Sequence, residues 1–150
     1  MASIDLGYMS IADLVWSKGF CYCEDAIADG EEKCSTCKSN LNPDQIVIPK
    51  QDVTVCYSYP LSHDFVNIHH TDNPAGFTRK EISEQIMKTY AQIYAEEDSD
   101  VGKPTEHIPG MMNRNTSEGR HGIWGHDIGD LQLHSMEEEE NGVFSLGVDS

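Results

Sequence analysis

The chain has 150 residues, 38% of them apolar and 8% aromatic, with 26 acidic side chains against 10 lysines and arginines and a formal charge of −16. That length suits one domain able to bury most of its apolar surface without disulfides, and the apolar content forecasts a modest core with much loop. Nucleic-acid affinity comes mostly from grouped Lys and Arg on phosphates, and the only adjacent cationic pair here is Arg79–Lys80, so the charge argues against DNA or RNA and for a basic protein partner or a place in an assembly.

No segment approaches the roughly 18 consecutive apolar residues of a membrane helix, which argues against a membrane partner. The opening MASIDLGYMSIADLVW holds two aspartates and no basic residue, unlike a secretory signal. The expectation is a cytoplasmic or nuclear protein, not a secreted one. In such a reducing compartment the five cysteines are thiols or metal ligands rather than disulfides.

Taken in order, residues 1–42 form a first unit, a short helix followed by a cysteine-rich segment. Ser10 can cap that helix, Ile11, Leu14 and Val15 give it a narrow apolar stripe, and Gly19 suits its C-terminal end. Cys21, Cys23, Cys34 and Cys37 then read C-x-C, ten residues, C-x-x-C. Two cysteine pairs flanking a loop of hairpin length fit a zinc knuckle, in which four thiolates close a tetrahedral site. The first pair is tighter than the usual spacing, and unmetallated thiols or a redox pair are the alternatives. A site closed by four thiolates has no open position for a substrate, so zinc here is structural.

Residues 43–150 make the second unit, an α+β core. Ile46–Ile48, Val53–Tyr57 and Phe65–Ile68 are β-rich runs set off by Pro43, Pro49 and Pro60, forming a small antiparallel sheet or meander. Cys56, in the second run, is expected as a small core residue. His63, His69 and His70 are candidates for a divalent-metal site at a strand end. The stretch Phe77–Glu97 is the strongest structural signal in the chain. Thr78 and Glu81 have capping-box spacing, Phe77 and Ile82 the spacing of a hydrophobic staple. Ile82, Ile86, Met87, Tyr90, Ile93 and Tyr94 fall within an arc of roughly 140° on one helix face. At the C-terminus, Leu131–His134 and Val143–Val148 read as a hairpin with an acidic tip at Glu137–Glu140.

Between helix and hairpin runs a long connection rich in glycine, ending in Gly119-Arg120-His121-Gly122-Ile123-Trp124-Gly125-His126-Asp127-Ile128-Gly129-Asp130. His121, His126, Asp127 and Asp130 are residue types used for proton transfer or metal ligation, and glycines permit close backbone approach. With Trp124 among them, a small hydrolase or ligand-binding site is one reading. A glycine-jointed segment that plugs the core is the other. The chain lacks a phosphate-binding loop, a nucleophile elbow, a His-Glu-x-x-His motif and a calcium loop.

Phe77-Thr78-Arg79, Tyr90, Tyr94, the run Gly122–Ile128 and Asp130-Leu131 are similar to a small family found in plants, algae and large DNA viruses. The resemblance covers roughly residues 57–148 and is most specific at GIWGHDI. It implies that the helix and the Trp124 stretch belong to one unit, with the cysteine segment as an addition, and it carries over no activity. Together these readings favour a non-enzymatic interaction or structural module with a structural zinc element.

Overall fold

The computed structural model describes residues 3–16, 42–101, 119–123 and 128–149. Its organising element is helix α1, Arg79–Val101. It starts where the sequence signals it, with the Thr78 hydroxyl accepting the Glu81 N–H at 3.1 Å. The capping box is only half made, because the Glu81 carboxylate accepts the Thr71 hydroxyl at 2.7 Å. All six residues of the expected arc are buried, five of them fully.

The face of α1 packs on a mixed sheet, so the α+β expectation holds. Its strands are β1 (Ser3–Ser10), β3 (Asp52–Tyr57), β4 (Phe65–His70), β6 (Gln132–Glu138) and β7 (Phe144–Asp149). They lie in the order β1-β6-β7-β3-β4. All neighbours are antiparallel except β3 and β7, which meet in parallel at Val55 and Phe144. Val53, Val55 and Tyr57 of β3, with Leu133, Met136 and Phe144, form the sheet side of the core. The expected C-terminal hairpin is present, but β6 runs on through Glu138, so Glu137 and Glu138 of the expected acidic tip pair with β7. The tip turns at Gly142, whose N–H bonds Glu139 O at 3.0 Å.

Three expectations need correction. The short helix after Ser10 is a single 3-10 turn, Ile11–Asp13, ended by Leu14 at φ 62°, and the Ser10 side chain makes no cap. Residues before it form β1, paired with β6. Ile46–Ile48 is strand β2, but it leaves the main sheet and pairs with β5, Phe77–Thr78. Cys56 is half-exposed, on the sheet face opposite Val53, Val55 and Tyr57, where burial and the nearby Asp64 raise its thiol pKa.

The chain passing into α1 is tied to β1 by one side chain. Arg79, almost fully buried, donates to Asp5 O at 2.7 Å, Asn42 O at 2.5 Å and Gln45 Oε1 at 3.1 Å. Trp16 adds a bond from Nε1 to Leu6 O at 2.9 Å. The basic pair of the sequence is thus partly consumed by the fold: Arg79 is a structural anchor.

Candidate functional site

The described part of the glycine-jointed stretch lies beside the C-terminal turns of α1. Glu97 is fully buried and continues the apolar arc, three residues beyond Tyr94 and four beyond Ile93. Its carboxylate accepts the backbone N–H groups of Gly119 at 2.8 Å, His121 at 2.8 Å and Gly122 at 3.2 Å. Two glycines make this approach possible. A Cβ on Gly119 would stand 2.5 Å from Glu97 Oε1, and Gly122, at φ +62°, would place one 2.8 Å from the Ser62 side chain. On the other flank, Ser62 N and His63 N donate to the 121–122 carbonyls, and Ile123 bridges Leu61.

His121 itself is buried. Its Nε2 lies 3.0 Å from Glu96 Oε1, and its ring stands edge-on to Phe65 with centroids 5.4 Å apart. The bond to His121 is the main cause holding the Glu96 carboxyl below its ordinary range. Arg120 reaches outward to Asp100 with two bonds of 2.8 and 2.9 Å, which hold the Asp100 carboxyl well below the usual carboxylate range. Three acids of α1 therefore fasten residues 119–122 through backbone and side chain.

A second polar cluster lies nearer the start of α1, between the helix and the sheet. Gln85 Nε2 donates to His70 O at 3.0 Å, which turns its Oε1 toward His69 Nδ1 at 3.1 Å. Nδ1 must then carry the proton, so Nε2 accepts the Tyr57 hydroxyl at 2.6 Å. Burial lowers the His69 pKa and pushes the Tyr57 phenol far up. Both stay neutral near pH 7. Tyr90, edge-on to Tyr57 at 5.3 Å, sends its hydroxyl to Tyr59 O at 2.8 Å.

Adjacent strand residues point to opposite faces, and that separates the expected histidine metal site. His69 turns inward to Tyr57, whereas His70 turns outward between Asp52 at 2.8 Å and Asp72 at 3.3 Å. Among the described residues no group of three or more His, Cys, Asp or Glu is arranged to hold a metal ion. Cys21, Cys23, Cys34 and Cys37 lie outside the described residues, as do Trp124, His126 and Asp127. Of the proposed reagent set, His121 meets Glu96 and Phe65, while Asp130 is exposed on the Ile128–Asp130 turn that leads into β6. The structure does not bring those two into contact.

The residues that organise this region, Glu96, Glu97, Asp100, Tyr57 and Gln85, were not singled out from the sequence. One signal was present for Glu97: an acid on the apolar stripe of a helix is costly unless it is paired.

No family model, curated protein or solved structure matches the chain. Among the described residues no helix is long and apolar enough to cross a membrane.

Proposed function

We propose that this chain is a non-enzymatic protein-interaction module that works within a protein assembly in a reducing compartment, cytoplasmic or nuclear. The clamp on residues 119–122 is the observation that carries this reading. In the described part of the stretch richest in reagent-type residues, His121 is buried against Glu96 and Phe65, and its backbone is docked on Glu97. Such bonds fix a segment in place. They leave the strongly acidic exterior, at a formal −16, as the surface through which a basic partner is attracted. Cys21, Cys23, Cys34 and Cys37 are proposed to hold one structural zinc as a separate element of the same module.

Native extracts fractionated by size test the assembly. The chain should elute well above its 16.7 kDa monomer mass at low salt. It should fall to the monomer position at about 0.5 M salt, where exposed charges are screened beyond roughly 4–5 Å. Elution as a monomer at both salts contradicts the reading. The zinc element is tested separately: purified protein should carry about one zinc per chain, lost in Cys34→Ser and Cys37→Ser. Metal-free wild-type protein that melts like the loaded form rules the element out.

A further inference from the structure

Strand β4 closes one end of the five-stranded sheet, and among the described residues no strand lies beyond it. Its register gives the direction of each backbone group. Thr71 N donates to Gln51 O at 2.9 Å, so the next pair, Asp52 and His70, is a non-hydrogen-bonded one, and the pairs Val53–His69 and Val55–Asn67 carry the ladder. The N–H and C=O groups of Val66 and Ile68 therefore face away from β3. On the same strand the side chains of Val66 and Ile68 are 55% and 68% exposed. Their cross-strand neighbours on that face are Cys56 and Thr54. Edge strands usually carry lysine, proline or a bulge that discourages pairing. Phe65–His70 carries none of these.

The charges at its ends indicate what the edge accepts. Asp64 precedes the strand and Asp72 follows it, both exposed. Antiparallel pairing of two copies centred on Ile68 would set Asp64 against Asp72 at both ends, since each stands four residues from Ile68. Like charges placed directly opposite are unfavourable, and each copy adds a further −16. A second copy is therefore a poor occupant, and a strand with cationic flanks is a good one.

We propose that β4 is a docking edge that takes an extended segment of a basic protein partner as a sixth strand, with apolar residues at alternate positions and Lys or Arg at its ends. Main-chain bonds to Val66 and Ile68 hold the segment, the apolar side chains cover those two residues, and Asp64 and Asp72 fix its flanks. The proposal deepens the interaction-module reading and rests on it.

The probe is a synthetic capped peptide, Lys-Arg-Val-Thr-Ile-Thr-Val-Arg-Lys, titrated into the full chain while backbone amides are followed by NMR and binding by fluorescence anisotropy. Saturable binding is expected, with the largest amide shifts at Val66 and Ile68, and a peptide with Glu in place of Lys and Arg should not bind. Ile68→Pro removes an outward donor without touching the ladder to β3, and it should weaken binding by about three- to tenfold, the worth of one hydrogen bond at this scale. Asp64→Lys with Asp72→Lys, at exposed positions, should do the same, and keeps the test valid if the proline variant melts early. Shifts confined to other strands, or affinity indifferent to both variants, overturn the proposal. A dimer of the free protein whose contact shifts lie on β4 also overturns it, in favour of a second copy. If Ile68→Pro leaves the larger assembly in extracts intact, the docking edge fails while the module reading stands; a chain that is monomeric in extracts removes the module reading itself.

Discussion

The two edges of the sheet are finished in different ways. At β1, two successive carbonyls, Asp5 O and Leu6 O, are bonded by side chains that arrive from elsewhere, Arg79 from the start of α1 and Trp16 from beyond the 3-10 turn. At β4, among the described residues, only His70 O is met in this way, by Gln85, and the outward groups of Val66 and Ile68 have no such partner there. A chain that spends a buried arginine on one edge has the means to close an edge. Its leaving the other bare, with apolar side chains beside it, is why we treat β4 as a surface and β1 as a structural border.

Removing the anchors should separate structural from surface residues by size of effect. Glu97→Ala leaves the N–H groups of Gly119, His121 and Gly122 without their acceptor, and should cost about 4 kcal/mol in urea unfolding, because each unsatisfied buried group costs roughly 1–3 kcal/mol. Arg79→Ala reopens the β1 edge by stripping a donor from the part-buried Asp5 carbonyl, while Asn42 and Gln45 are exposed and regain water, and should cost about 1–2 kcal/mol. If either variant is as stable as the wild type, the corresponding clamp is not holding the fold.

The two neighbouring histidines of β4 should respond to pH with opposite signs. Burial lowers the pKa of His69 from its ordinary 6.5, so below that value the unfolded chain binds a proton that the folded chain refuses. Its contribution is present above about pH 6.5 and is lost as pH falls. The pKa of His70 is raised, chiefly by its bond to Asp52; its contribution is full below 6.5 and is lost as pH rises through the higher folded value. In His70→Asn the His69 effect stands alone, and stability should fall more steeply than in wild type between about pH 7 and about pH 5. A flatter profile in the variant would contradict the inward–outward assignment. The smallest effect belongs to the bare edge: Ile68→Thr should change stability by less than about 0.5 kcal/mol, as for an exposed site with no structural bond.

The parts of this structure that sequence reading reached are those whose signals are local. Thr78, the arc from Ile82 to Tyr94 and the hairpin around Gly142 announce themselves by spacing and turn chemistry. Strand β1 does not, and the reason is a change of parity. Ile4 and Leu6 are buried, then the register shifts between Asp5 and Met9, with Gly7 at φ 108°, and burial passes to Met9 and Ile11. A bulge of this kind erases the period-two pattern by which a strand is recognised. The parallel contact of β3 with β7 and the departure of β2 to pair with β5 are long-range choices that no window of sequence contains. At the candidate site, His121 could be nominated by residue type, but its burial depends on Glu96, Glu97 and Phe65, which approach it only in the folded chain.

Residue-resolved hydrogen exchange of the free protein at low concentration tests the open edge most directly. An open edge predicts an alternation along β4: slow exchange at Asn67 and His69, whose N–H groups bond β3, and fast exchange at Val66 and Ile68, whose N–H groups face outward. Equal protection at all four amides would mean that β4 is already paired and is not an open edge.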